Sequence, residues 1–353
     1  MGSGVLSEKS DHVIGIPVLA AFYLAMAWAM TYHTLRLPLY LPAGDVAGFF
    51  AGHVPRPYQY RILGPWIIQT LGSFTGLDRY WSELVYYVSA YLFLFFVFRT
   101  WLRTWLPRAA ADLAPVWICA AFVGNLLPRY PWDPLGVALL ALLLIAIHAR
   151  RWLLFFPLLV LATLNRETAL LAVASLFFVE RFLRREGWGR TLSLTASAAG
   201  IWLAVKAVLY VAYRDSPGGA LEWHLAENAA IFMGESAYVD YLQNEYLKRI
   251  AGVFPLCWLQ FLVALNGFWI PALVRWRSKD PFLKISALAA PLLLAAVVLF
   301  GNIAERRVYL DLAPWVLPLA LATFFPKATG GSDDPSSPNG KVRGGHSKRE
   351  TEA

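Results

Sequence analysis

The feature that most constrains this chain is a charged pair at the centre of an apolar block. Residues 152–163 (WLLFFPLLVLAT) and 169–179 (ALLAVASLFFV) carry no charge, and between them lies Leu164-Asn165-Arg166-Glu167-Thr168. Arg150-Arg151 stand on one flank, and Arg181, Arg184 and Arg185 on the other. An ionisable residue at bilayer depth costs about 2.5–3.5 kcal/mol on insertion scales, so such a pair marks a functional site by default. Two shapes fit. A single helix over 152–180 would be about 43 Å long, too long for a ~30 Å hydrocarbon core, and would put arginines on both sides of the membrane. A hairpin of two short helices keeps both arginine clusters on one side, as the positive-inside tendency prefers. Each arm of about 13 residues reaches only ~20 Å, so the tip lies below the far surface, buried in protein or lining a wet cavity. The hairpin is the preferred shape. The structural alternative is capping: Asn165 suits an N-cap and Glu167 suits a first helical turn, but Arg166 has no place there.

Composition agrees with a membrane. Of 353 residues, 58% are hydrophobic and 15% charged, and the mean hydropathy is +0.50; this is the range of an integral membrane protein. The net charge of +8 is gathered in short segments between apolar runs, which is the positive-inside pattern and not a nucleic-acid footprint. The 15 Trp, 16 Tyr and 22 Phe suit interface belts and contacts with lipid or carbohydrate. The two cysteines, Cys119 and Cys257, lie in separate apolar runs and give neither a disulfide framework nor a metal site. His53 and His224 lack paired ligand spacing and are read as non-metal. The first apolar run lacks a convincing cleavage site, so it reads as an uncleaved span.

In order, the spans fall at 13–31, 82–98, 113–127, 135–149, the two hairpin arms, 191–212 with Lys206 inside it, 251–274, 285–302 and 308–325. Residues 62–77, broken early by Gly64-Pro65, are short for a span and read as re-entrant or interfacial. If they cross fully, the N-terminus changes side. The expectation is an all-α integral membrane protein with about ten crossings and a short-helix hairpin. Its long outer loops, 32–81 and 213–250, carry interfacial helices. Residues 1–12 and the tail 326–353 would lie in the cytoplasm, the tail disordered. Basic segments at 99–112, 150–151, 181–190 and 275–284 then share the cytoplasmic side. The polar motifs fall on the other: Asp45, Arg56 and Arg61, Asp133, Asn165-Arg166-Glu167, the acidic loop, and Glu305-Arg306-Arg307.

These motifs carry the candidate chemistry. Asp45 is the one acid in 32–77. It follows Pro42-Ala43-Gly44 and is either a helix cap or a reactive carboxylate. Arg56 and Arg61 flank Tyr58 and Tyr60, a mixture suited to a phosphate at the membrane surface or to an aromatic belt. Asp133 precedes Pro134 and is either a helix-start residue or a second site carboxylate. Arg307 and Asp311 stand at i,i+4 and would pair on an α-helix, leaving Arg306 without an obvious partner.

In Gly44-Asp45, Tyr58-Gln59-Tyr60-Arg61-Ile62-Leu63-Gly64-Pro65-Trp66, Asp133 and Asn165-Arg166-Glu167-Thr168, the chain resembles the GT-C glycosyltransferases. These are multispanning enzymes that use polyprenyl-phosphate sugars on the non-cytoplasmic face, with an essential acid in the first outer loop. The resemblance implies a plasma-membrane enzyme that moves a sugar from a lipid-linked donor to a glycan, lipid or protein acceptor, probing no nucleic acid. Asp45 would be the general base and Asp133 a second catalytic carboxylate. Arg56, Tyr60, Arg61, Asn165, Arg166, Glu167, Glu305, Arg306 and Arg307 would bind substrate. The chain has no Asp-x-Asp, and the expectation includes neither metal nor cofactor. Arg61, Arg166 and Arg306 would hold the donor phosphate and stabilise the charge that grows on it. A transporter or flippase of an anionic or lipid-linked substrate is the rival reading, since broken helices with charges at depth also mark transport sites. A scaffold for envelope polymers is the third.

Overall fold

The computed structural model describes residues 15–36, 49–50, 52–56, 58–123, 125, 130–219, 223–226, 228–229, 264–303 and 305–326. Among them every regular element is helical. Four segments are long and apolar enough to cross a membrane: α1 (Ile16–Arg36), α3 (Arg79–Trp105), α9 (Trp188–Ala212) and the composite Pro281–Phe300. The shorter helices are α2 (Leu63–Thr75), α4 (Arg108–Asp112), α5 (Ala114–Phe122), α6 (Asp133–His148), α7 (Trp152–Asn165), α8 (Leu170–Phe178), α10 (Trp269–Leu273), α11 (Pro281–Ser286), α12 (Ala290–Phe300) and α13 (Ala313–Phe324). The expected cytoplasmic N-terminus and tail, Asp45, most of the acidic outer loop and most of the expected span 251–274 lie outside the described residues.

The core is built on α3 and α6, which pack on each other. Helix α6 is apolar on every side and buried on nearly every side, as an all-round hydrophobic helix must be. Helix α3 turns Tyr87, Tyr91, Phe95, Phe98 and Trp101 into the interior. Its start is capped by Asp78, whose side chain accepts from the Trp81 N–H at 3.0 Å. Helix α2 has 13 residues and reaches only about 20 Å, short of a ~30 Å hydrocarbon core. Gly76, at φ 70°, ends it and lets the chain turn into α3. Gly64 sits where an added Cβ would lie 3.0 Å from the Pro131 carbonyl oxygen, so this glycine lets α2 approach the loop before α6.

The apolar block with the charged pair at its centre is a hairpin. Helix α7 ends at Asn165, Arg166 is extended (φ −163°, ψ 143°), and one 3-10 turn (Glu167–Ala169) leads into α8. The two outer ends of the block meet: Arg150 pairs with Glu186 at 3.3 Å, and Arg184 donates to the Ile147 carbonyl at 2.6 Å. In one continuous helix residues 150 and 186 would be on the order of 50 Å apart, so the single-helix alternative is excluded. Helix α9 packs against both arms and meets the tip at Trp202, whose indole N–H donates to the Glu167 carbonyl at 3.2 Å. The tip therefore lies below the end of α9 at Ala212, by roughly 9 Å or more.

Candidate functional site

Five separate segments send charged side chains to the hairpin tip. The loop before α2 brings Arg61, the start of α6 brings Asp133, and the tip itself brings Arg166 and Glu167. Helix α9 brings Lys206, and the 3-10 segment Arg306–Leu312 with the residue before it brings Glu305, Arg307 and Asp311. Arg166 stands at the centre. Its Nη1 donates to Asp311 Oδ1 at 3.1 Å and to Asp133 Oδ1 at 3.3 Å. Arg307 Nη1 reaches the same Asp133 oxygen at 3.4 Å, and its Nε donates to Glu305 Oε1 at 2.7 Å. Arg61 grips Glu167 with two nitrogens, Nε at 3.2 Å and Nη2 closer still. Lys206 Nζ lies 3.9 Å from Glu167 Oε2. Four carboxylates thus face four cations, and their formal charges cancel.

Burial makes these contacts consequential. Arg166, Arg307, Asp133 and Asp311 are each at most 3% exposed, and a buried charge survives only when paired and hydrogen-bonded. Burial alone would lower the Arg307 pKa, but the Glu305 and Asp133 carboxylates outweigh it and raise the value. For Arg61 burial again opposes the charge, and Glu167 turns the balance upward. Aromatic rings close the cluster. The Arg307 guanidinium lies 3.7 Å from the centre of the Tyr130 ring, and Arg61 lies beside the neighbouring rings of Tyr58 and Trp132, 5.2 and 5.3 Å from their centres. Lys206 lies 5.3 Å from the centre of the Tyr60 ring. Cations held over ring faces gain about 1–2 kcal/mol in dry surroundings.

Two further features define what the site can do. Arg306, half-buried beside Arg307, has no ion-pair partner among the described residues, so the balanced cluster carries one extra positive charge at its edge. Between α7 and α9, an apolar groove of about 230 Å³ is lined by Leu164, Ala204, Val205 and Val208. Among the described residues no three His, Cys, Asp or Glu side chains come together as a metal site.

The structure redistributes the roles expected of individual residues. Arg61, Glu167, Arg166, Asp133, Glu305 and Arg307 do meet. Arg61 and Arg166, expected to hold a phosphate, are engaged by carboxylates of the chain instead. Asp133, expected as a second catalytic carboxylate, is buried and bridges Arg166 and Arg307 in the interior. Arg56 leaves the cluster: its Nη2 donates to the Gly218 carbonyl at 2.6 Å and joins the first outer loop to the turn after α9. Tyr60 is buried under Lys206 and does not line an open surface. Asn165 is not an N-cap. It closes α7, and its Nδ2 donates to the Trp132 carbonyl at 2.9 Å. The Arg307–Asp311 pair does not form. Residues 306–312 are a 3-10 helix, in which i and i+3 eclipse and i+4 is turned away; Arg166 takes Asp311 in its stead. Asp45 lies outside the described residues. The participant that sequence reasoning passed over is Lys206. Its signal was a lone cation inside an apolar span.

Comparison with protein-family models, with curated proteins and with solved structures finds no match to this chain.

Proposed function

We propose that the chain is a GT-C-like membrane glycosyltransferase of about ten crossings. It moves a sugar from a polyprenyl-phosphate donor to a cell-envelope acceptor on the non-cytoplasmic face of the plasma membrane. The observation that carries this reading is the gathering of Arg61, Arg166, Lys206 and Arg307 at the hairpin tip, with Arg306, which has no ion-pair partner among the described residues, next to Arg307 in the chain. A lipid phosphate needs a cationic seat and its chain an apolar path, and the groove starts at Leu164, two residues before Arg166. The buried network of Asp133, Arg166, Arg307 and Asp311 then fixes the position of the tip, so the seat is preorganised. Asp45 remains the proposed general base. It takes the proton from the acceptor hydroxyl as the sugar's bond to the phosphate breaks, inverting the anomeric centre.

The test is site-directed photocrosslinking with a polyprenyl-phosphate analogue carrying a diazirine on its chain. Labelling of the α7–α9 groove that competes with unlabelled donor, and that falls in Arg306→Ala, supports the reading. Labelling spread evenly over the lipid-facing helices contradicts it. A transporter or flippase is the second reading, favoured by one observation: the charges balance four against four below the end of α9, as in a site that opens alternately to two sides. Solute flux without sugar transfer would select it.

A further inference from the structure

We infer a second lipid site at the opposite, basic end of the bundle: a seat for the headgroup of an anionic phospholipid, formed by Arg151, Arg181 and Arg185 with Trp188 and Phe182. The arginines at this end divide into two kinds. Arg150 and Arg190 both pair with Glu186, at 3.3 and 3.5 Å, and Arg184 pairs with the buried Glu180. Arg184 also donates to the carbonyls of Ile147 and His148, which closes the C-terminal end of α6. These three are engaged by the fold, with two carboxylates shared among them. Among the described residues Arg151, Arg181 and Arg185 have no carboxylate partner. The contacts of Arg150 and Arg184 hold 147–151 against 180–190, so the three arginines without a carboxylate partner share this end of the bundle.

Arg181 is the most informative of them. Its guanidinium lies over the Trp188 ring, 4.4 Å from the centre. Its Nε is buried and has no acceptor. Stacking uses the face of a guanidinium and leaves its N–H edge free, and that fork matches two oxygens of a phosphate. The rings identify the kind of phosphate. Phe182 and Trp188 are each about half exposed, and Phe178 stacks on Phe182 with centroids 6.1 Å apart. A free anion has no use for that apolar shelf, whereas an acyl chain below its headgroup does. Trp at the headgroup level with basic residues beside it is the ordinary chemistry of a membrane interface. This site does not depend on the glycosyltransferase reading.

The experiment measures the melting temperature of the purified full chain in detergent while short-chain phosphatidylglycerol, phosphatidylcholine or inorganic phosphate is added. Phosphatidylglycerol should stabilise the protein saturably, and phosphatidylcholine and phosphate should not. Arg181→Gln with Arg185→Gln should weaken the apparent affinity at least about tenfold, as expected for two lost surface cations. Arg103→Gln, an exposed arginine of α3, should change it little. The variants should melt like the parent without lipid. Equal stabilisation by both lipids, stabilisation by phosphate alone, or an equal loss in Arg103→Gln would overturn the site.

Discussion

Arg166, in the break between the hairpin arms, meets Asp311 at 3.1 Å across 145 residues of sequence. The contact ties the tip of a membrane hairpin to the segment that leads into α13, and Asp133 ties the same guanidinium to the start of α6. With both acids buried, the group is a structural lock on the site's floor.

Asp311→Asn should therefore cost about 3–5 kcal/mol, the usual loss when one partner of a buried pair is removed. Denaturant or thermal unfolding in detergent gives the number. The double change Arg166→Met with Asp311→Leu should lose less than the sum of the two single changes, because no unpaired charge is left inside. Additive losses would mean that the two side chains act independently.

Arg306 should behave in the opposite way. Arg306→Ala should leave the melting temperature within about 1 °C, since surface changes fall within ±0.5 kcal/mol. It should weaken binding of a polyprenyl-phosphate donor by about 2–5 kcal/mol if the arginine grips the phosphate directly. Binding is read by isothermal titration with a short-chain donor analogue. A large stability loss with unchanged binding would assign Arg306 to the fold.

The hairpin was legible because its signal is local. Two uncharged runs, a charged break and arginines at both ends admit few shapes, and the Arg150–Glu186 contact selects the expected one. The shortness of the 62–77 segment was legible for a similar reason: Gly64-Pro65 breaks it early, and the helix that forms has 13 residues. The ion partners were not. Lys206 and Glu167, or Arg166 and Asp311, are joined by tertiary packing alone, and no periodicity connects them. The expected Arg307–Asp311 pair failed because it assumed an α-helix where a 3-10 helix forms. The full set of ten crossings belongs to the proposal, since 251–263 lie outside the described residues and α5, α6 and α13 are shorter than a bilayer is thick.

Topology has its own test. After replacing Cys119 and Cys257, single cysteines at Arg103 and Gly187 should share one side of the membrane, and one at Asn302 should lie on the other. An impermeant thiol reagent in intact cells should label only Asn302→Cys, with the first two labelled once the membrane is opened. Labelling of Gly187→Cys and Asn302→Cys from the same side would contradict the arrangement.

Lys279 predicts a pH dependence. It is buried in the loop before α11 and donates to the Leu319 carbonyl and the Thr323 hydroxyl. Burial first, and then nearby Arg275, pushes its pKa down to about 8 from 10.5. Between those values the unfolded chain binds more protons than the folded one, so stability should rise as pH goes from about 8 to 10.5 and should be flat in this respect below 8. Lys279→Met should abolish that slope in thermal melts taken across the range.

The most direct measurement is sugar transfer itself, in liposomes holding the purified chain, a panel of radiolabelled polyprenyl-phosphate sugars and an envelope acceptor fraction. Transfer by the parent chain is predicted for at least one donor. Asp45→Asn should reduce turnover about 10²–10⁴-fold, the usual worth of a positioned base, with donor binding and melting temperature unchanged. Asp133→Asn should lose stability along with activity. No transfer from any donor, together with uptake or efflux of a solute that fails in Arg306→Ala, would contradict the enzyme and leave a transporter.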